Sequence, residues 1–485
     1  MSKKDKTLKD KTVSGIFWRF GERILAQLIT MLVSIMLARV LLPEEYGTVA
    51  LITIFITLAN VLVVNGLGTS LIQKKNADNG DFSTMFYASL VFSLGLYVII
   101  FVSAPIISNM FNNDLTLPLR IMALKLPLAS INSIQQAYVT KKMIYKKFFF
   151  STLVGTLASA VIGVYMAYNG FGVWALIVQY LTNSFFDTVV LSLTIGWHPI
   201  WYFSMAKFKQ LFGYGWKIMA STFIGSFFSQ LRGFIIGAKY SSADLAYYNK
   251  GDQFPAIINN NMSLTMESVL FSTFSELQNK NKELHNAISR ILRTASLLLF
   301  PILLGLASAA PAVVEVVLTE KWLPCVPFLR LFCLQYCFAL IGIMSLQSIK
   351  SIGRSDVVLK LEFIKKPIFL VFLVCGMFFG PLGIAISNVI YDFIGTMINA
   401  LACAKTVGYS IKKQVSDVFP SFMISVLMAG AVAAIGHVGM GSLTTVVVQI
   451  SVGVVLYVVL ALLFVRKDVL YMKELLCSKI RGNKQ

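Results

Sequence analysis

Between Ser14 and Leu41 the chain sets Arg19, Glu22, Arg23, Gln27, Thr30 and Ser34 into a stretch otherwise built mainly of Ile, Leu, Met, Val and Phe. At 100° per residue these positions share one helical sector, with Glu22 at its edge. Two guanidinium groups at i and i+4 form a pair of forks on one face, a geometry suited to phosphate oxygens. A polar stripe along an apolar helix must turn away from lipid, onto a polar space inside the protein. Snorkelling of the arginines to inner headgroups, with Glu22 paired to them, would account for the first two turns alone. Gln27, Thr30 and Ser34 lie deeper and are better explained by a cavity wall.

The elements that must position this stripe are legible in the composition. Of 485 residues, 57% are hydrophobic and 13% charged, against about 25% charged in soluble domains. Apolar segments of about 20 residues recur along the whole chain, at 14–40, 46–71, 83–107, 116–140, 148–168, 172–196, 211–237, 245–272, 288–309, 324–349, 358–379, 382–404, 418–437 and 443–465. The expected fold is therefore an all-α membrane protein with fourteen transmembrane helices. The lysine-rich start MSKKDKTLKDKTV is not followed by a small-residue cleavage site, which argues against a cleaved signal peptide. With GKS/T phosphate loops, HExxH and paired CxxC absent and the histidines scattered, the expectation is no enzyme, no metal and no cofactor. Coupling to H+ or Na+ stays open, with Asp187 and Asp392 as acids inside the segments.

The net charge of +20 suggests nucleic acid until it is mapped. With the N-terminal tail inside, 28 of the 42 Lys and Arg fall on the inner side and four, Arg39, Lys239, Lys250 and Lys321, count to the outer. That asymmetry places both termini in the cytoplasm and explains the charge without nucleic acid. Inner clusters such as KKMIYKK (141–147) would favour anionic lipid. The loops are too short for a catalytic domain.

An internal repeat follows. LLPEEYGTVA (41–50) answers SSADLAYYNK (241–250), Ala104-Pro105 answers Ala310-Pro311, Leu119-Arg120 answers Leu329-Arg330, and NGFGVWAL (169–176) answers FGPLGIAI (379–386), all at shifts near 200 to 211. Two like six-helix lobes are expected, 14–196 and 211–404, related by a pseudo-twofold along the membrane normal. The pair 418–465 is an addition, and 1–13 and 466–485 are basic cytoplasmic tails. A shift of 198 carries Arg19 to Lys217 and Ser34 to Arg232. The eighth segment has its own stripe of Asn249, Asp252, Gln253, Asn260, Ser263 and Glu267, and the second a milder one of Thr53, Thr57 and Asn60. The candidate substrate-binding residues are Arg19, Arg23, Gln27, Lys217, Arg232, Asn60, Asp252, Asn260 and Glu267. Arg120 and Arg330 suit either outer-mouth ligands or structural pairs. Lys360, Lys365 and Lys366 are expected to snorkel, with Glu362 pairing to Lys366. Prolines inside the segments are read as places to bend.

The stretches LARVLLPEEYGTVAL (37–51), NGLGTSLIQ (65–73), GFGVWALIVQ (170–179), IIGAKYSSADLAYYNKGDQF (235–254), KWLPCVPFLRLFCL (321–334) and SIGRSD (351–356) resemble those of the bacterial oligosaccharide-lipid flippases of the polysaccharide transport group. These belong to a superfamily that also holds multidrug and toxin extruders. The resemblance implies a two-lobed, V-shaped transporter with a cationic central cavity in the bacterial inner membrane. It also implies undecaprenyl-diphosphate-linked oligosaccharide as cargo, flipped from inner to outer leaflet by alternating access. The last two helices would form a side groove for the lipid tail, among membrane lipids and beside a polysaccharide polymerase and glycosyltransferases. Arg232 stands where many such proteins carry an acid, and Ser272 where they often carry proline. A drug/cation antiporter is the alternative, though it would more often have twelve spans and an acidic cavity.

The charge map makes a topological prediction. Single cysteines at Asn113 and Gly441 in a cysteine-free background are expected to react with an impermeant thiol reagent from outside, and those at Lys75, Lys142 and Lys412 are not. Labelling of the Lys142 site in intact cells would reverse the orientation.

Overall fold

The computed structural model describes residues 3–111, 113–276, 281–472 and 474, with side chains described outside 3–13, 16–17, 264–265, 267–273, 275–276 and 281. Among the described residues every regular element is helical. These are α1 (Lys3–Val40), α2 (Pro43–Val64), α3 (Leu67–Gln73), α4 (Asn79–Met110), α5 (Thr116–Met122), α6 (Lys125–Lys142), α7 (Tyr145–Tyr168), α8 (Val173–Thr194), α9 (Met205–Lys239), α10 (Ser242–Glu276), α11 (Asn281–Leu318), α12 (Val326–Ser351), α13 (Ser355–Gly376), α14 (Gly380–Thr406), α15 (Ile411–Ile435) and α16 (Ser442–Phe464), with a 3₁₀ turn at Glu320–Cys325. All fourteen expected segments are helical. The second and fourth differ from expectation in being broken, into α2–α3 and α5–α6. Among the described residues ten are long and apolar enough to cross a membrane. The four that are not, α5–α6, α9, α10 and α13, carry amides, polar stripes or clustered lysines. This is a multi-pass membrane protein.

The chain falls into two compact units, 1–246 and 247–485. In the first, α1 packs on α7, α7 on α8, α4 and α8 on α6, and α9 on α2 and α3. The α2–α3 break is where α9 comes closest. Gly66 there has φ +99°, and a Cβ on it would lie 2.4 Å from the Gly215 carbonyl oxygen of α9. One on Gly215 would lie 2.7 Å from the Gly66 oxygen, so the two backbones touch without side chains between them. At its start, Asp78 caps α4 by accepting from the Asp81 amide at 2.7 Å. Lys207 at the start of α9 donates to Asp78 at 2.6 Å, and Lys74 to Asp81 at 2.9 Å. The Lys207 hydrogen bond holds the Asp78 carboxyl below the usual carboxylate range. This tie is therefore complete at neutral pH and is lost only as pH falls through that lowered value.

In the second unit α11 is the centre, packed on α12, α15 and α16, while α14 bridges α12 and α13. Buried Trp322 lies beneath α10 with Tyr247 against its ring, 6.0 Å between centroids. Lys250, assigned to an outer loop by the charge map, is instead inside α10, buried and 5.6 Å from the Trp322 ring. Lys365 is also buried, 8% exposed, and ion-paired to Glu362 at 2.6 Å, so it does not snorkel. Lys366 is the more distant partner at 3.8 Å.

Prolines inside the helices decide much of the packing. A helical proline has no N–H to give the carbonyl four residues earlier and pushes that carbonyl outward. Pro105 frees Phe101, and Arg120 Nε donates to the Phe101 oxygen at 3.0 Å. Pro311 frees Ala307, and Arg330 Nε donates to it at 3.2 Å. Pro301 frees Leu297, which accepts from Tyr457 Oη at 2.7 Å. Of the two readings open for Arg120 and Arg330, the structure gives the structural one, identically in both units. The Tyr457 contact also ties α16 to α11. Arg293 to Asp417 at 2.8 Å and Ser442 to Glu315 at 2.6 Å add further α11 ties to α15 and α16.

A double-mutant cycle tests the cap. Arg120→Met is expected to cost about 1–3 kcal/mol by stranding the Phe101 carbonyl. In a Pro105→Ala background, where the helix regains its own N–H, the cost should shrink to a fraction of that. Thermal unfolding in detergent measures both, and equal costs would rule out the cap.

Candidate functional site

The pocket that contains the sequence-predicted arginines is built where α1 meets the α6–α7 turn. A cavity of about 630 Å³ is lined by Gly15, Arg19, Phe20, Glu22, Arg23, Met143 and Tyr145. Met143 turns the chain with φ +57°, delivering Tyr145 to α1 at the first position of α7. A Cβ on Gly15 would lie 2.7 Å from the Tyr145 ring, so only glycine lets the ring settle there. Arg19 is one turn further on the same face. Its guanidinium lies 5.2 Å from the Tyr145 ring centre and 4.8 Å from that of Phe148. Phe148 belongs to a buried cluster with Leu67, Leu71, Phe82, Leu191 and Trp197, and Tyr145 packs against it. The arginine is thus oriented by rings anchored in the core. Arg23, exposed four residues on, presents a second fork to the same cavity without a ring over it among the described residues.

Lysines nearby are occupied. Lys141 donates to the Ile72 carbonyl at 2.9 Å and to that of Lys74, closing the end of α3. Lys147 donates to the Thr194 carbonyl at the end of α8. Lys142 lies over Tyr138 and Lys146 over Trp18. The KKMIYKK cluster, read from sequence as a lipid attractant, is spent largely on helix ends and rings.

Behind the pocket, half-buried Asp187 on α8 accepts from Ser151 Oγ and, at 3.0 Å, from Asn132 Nδ2 on α6. Glu22 is within electrostatic range of Asp187, Arg19 and Arg23. The second unit repeats the arrangement: Asp392 on α14 accepts from Gln335 on α12 at 2.5 Å, and Gln335 accepts from Asn388 at 2.9 Å. Among the described residues no three His, Cys, Asp or Glu gather as a metal site.

Of the remaining candidates, Gln27 is half-buried on α1, further along than the pocket. Lys217, exposed, and Arg232, half-buried, stand on α9 and do not line the pocket. Asn60 on α2 is half-buried, its Oδ1 enclosed without a hydrogen-bond partner. Asp252 on α10 accepts from Tyr336 Oη at 2.8 Å, and Asn260 is exposed on the same helix. The Glu267 side chain lies outside the described residues. Tyr145, Phe148 and Gly15 were missed in the sequence; the aromatic run at 148–150 beside a basic cluster was the available signal.

Residues 36–327 match the family described as "Polysaccharide biosynthesis protein". The chain belongs to that family. Curated relatives include the "Lipopolysaccharide biosynthesis protein WzxC" of Escherichia coli K12, 23% identical over 90% of both chains. Another is the "Succinoglycan biosynthesis transport protein ExoT" of Rhizobium meliloti, 25% identical over 61% of this chain and 60% of its own. A third is the "Teichuronic acid biosynthesis protein TuaB" of Bacillus subtilis, 24% identical over 59% of each. Among solved structures, "Lipid II flippase MurJ, inward closed conformation" superposes with a TM-score of 0.76 at 15% identity, over 94% of this chain and 100% of that one. An inward-facing multidrug resistance MATE transporter gives 0.60 at 16% identity, over 79% and 94%. This family member thus shares the fold of transporters and flippases, not of enzymes.

The ring contacts make a chemical prediction about the two arginines. With phenylglyoxal, Arg23 is expected to be modified several-fold faster than Arg19, which is also exposed but has the Tyr145 and Phe148 rings beside its guanidinium. Tyr145→Leu should narrow the gap and Tyr145→Phe should preserve it, with peptide mass spectrometry as the readout. Equal rates in the unmodified protein would remove the aromatic orientation.

Proposed function

We propose that the protein is a flippase that moves undecaprenyl-diphosphate-linked oligosaccharide, a cell-surface polysaccharide precursor, from the inner to the outer leaflet by alternating access. The observation that carries the reading is the pocket in which Arg19, held by Tyr145 and Phe148, stands beside Arg23. An arginine that merely snorkels needs no aromatic rings fixing its plane. Two forks one turn apart suit a diphosphate. A diphosphate cannot cross about 30 Å of hydrocarbon unaided, so it needs a cationic, wet route while the prenyl chain stays in lipid.

The reading includes fourteen crossings with both termini in the cytoplasm of a bacterial inner membrane. Two six-helix lobes, 14–196 and 211–404, carry the transport cycle, and the pair 418–465 offers the groove for the prenyl tail. The proline–arginine caps and the acid–amide pairs, repeated unit by unit, support the repeat. Arg19, Arg23 and Lys217 capture the diphosphate near the inner mouth and Arg232 receives it near the outer one. Gln27 and Asn60 in the first unit, and Asp252 and Asn260 in the second, offer hydrogen bonds to the sugar. Glycosyltransferases would supply the cargo and a polymerase consume it. The relatives named for lipopolysaccharide, succinoglycan and teichuronic acid biosynthesis support a polysaccharide precursor over a drug.

Arg19→Gln with Arg23→Gln is expected to reduce export about 100-fold or more, as two charge-assisted hydrogen-bonding groups are lost. The double lysine variant should keep part of it, since charge survives and fork geometry does not. Surface polysaccharide in a strain lacking its own flippase, at matched protein levels, is the measure. Normal export by the glutamine variant would end the cationic-pocket mechanism.

A further inference from the structure

The arginine pocket contains its own anion. Glu22 shares the wall with Arg19 and Arg23, three residues after one and adjacent to the other. It is within electrostatic range of both, yet among the described residues no ion pair locks it to either. Gly15, Phe20, Met143 and Tyr145 complete the lining and carry no ionised group. On the protein side stands Asp187, its carboxylate already engaged by Ser151 and Asn132. A retreating Glu22 would meet like charge there, so its favourable position is toward the arginines. An entering diphosphate must therefore take its place at the forks beside a carboxylate of its own sign of charge. Like charges so juxtaposed repel each other.

We propose that Glu22 is a resident competitor of the cargo: it neutralises the arginine forks in the empty pocket and repels the bound diphosphate, which sets the rate of release. The inference rests on the reading of this pocket as the diphosphate site. A site made of two oriented arginines alone would load well and unload slowly. Transport requires that the same site let go, and an internal anion supplies the opposing force without weakening the forks. Glu22 acts by its charge, on the forks and on the anion they hold.

The test uses the purified full-length protein and farnesyl diphosphate as probe, with affinity by calorimetry and dissociation by stopped flow. Glu22→Gln keeps the size of the side chain and removes its charge. It is expected to bind the probe about tenfold more tightly, mainly through slower dissociation, while export in the flippase-deficient strain falls. Glu22→Asp should restore both toward the starting values. A purely structural role would move affinity and export down together, and that outcome, or unchanged affinity in a Glu22→Gln protein of unaltered melting temperature, overturns the proposal. If the Arg19→Gln, Arg23→Gln protein binds the probe as well as the parent, the diphosphate reading of the pocket fails instead.

Discussion

Hydrocarbon offers no hydrogen bond, and a backbone carbonyl left without a partner in it costs several kcal/mol. Most of this chain meets that demand by being helical. Where prolines interrupt the ladder, a side chain from another helix meets it instead: Arg120 for Phe101, Arg330 for Ala307 and Tyr457 for Leu297. A bend made this way belongs to two helices at once. The prolines that look in sequence like loose points for rearrangement are, at these positions, among the places where neighbouring helices are joined.

The same economy governs the cations. A lysine or arginine in or near the membrane is stable only with a counter-charge, a ring face or a carbonyl beside it. Lys141 and Lys147 find carbonyls, Lys142 and Lys146 find rings, and Lys365 finds Glu362. Against that background Arg23 stands out, facing a cavity beside an arginine whose plane is already fixed. An excess of positive charge over the whole chain says little about function; a cation left facing open space says more.

The helices were legible because they rest on local patterns of hydropathy and glycine turns, and the matching Ala-Pro and Leu-Arg pairs were legible as pairs. The breaks at Gly66 and between α5 and α6 were not, since apolar residues continue across them and the causes are tertiary. Gly66 is held in its conformation by the backbone of α9, some 150 residues away in sequence. Arg120 and Arg330 matched in sequence, but their task depends on a carbonyl that only the folded neighbour presents. Lys250 was misplaced because burial under a distant tryptophan leaves no local mark. In the pocket, the arginines and Glu22 were readable from helical spacing. The rings that orient Arg19 come from another helix, in a stretch whose lysines drew attention first.

The caps also differ in when they can form. Arg120 follows Phe101 by 19 residues, whereas Tyr457 follows Leu297 by 160. At about 5–20 residues per second, a ribosome completes the first pair within a few seconds of starting it. The second waits roughly ten to thirty seconds, until α16 has been made. For that interval α11 exists as a bent helix with an unanswered carbonyl, and water, lipid headgroups or the insertion machinery must serve it. Helix α16 thus finishes a structure begun far earlier, and α11 reaches its final state only once α16 has been made.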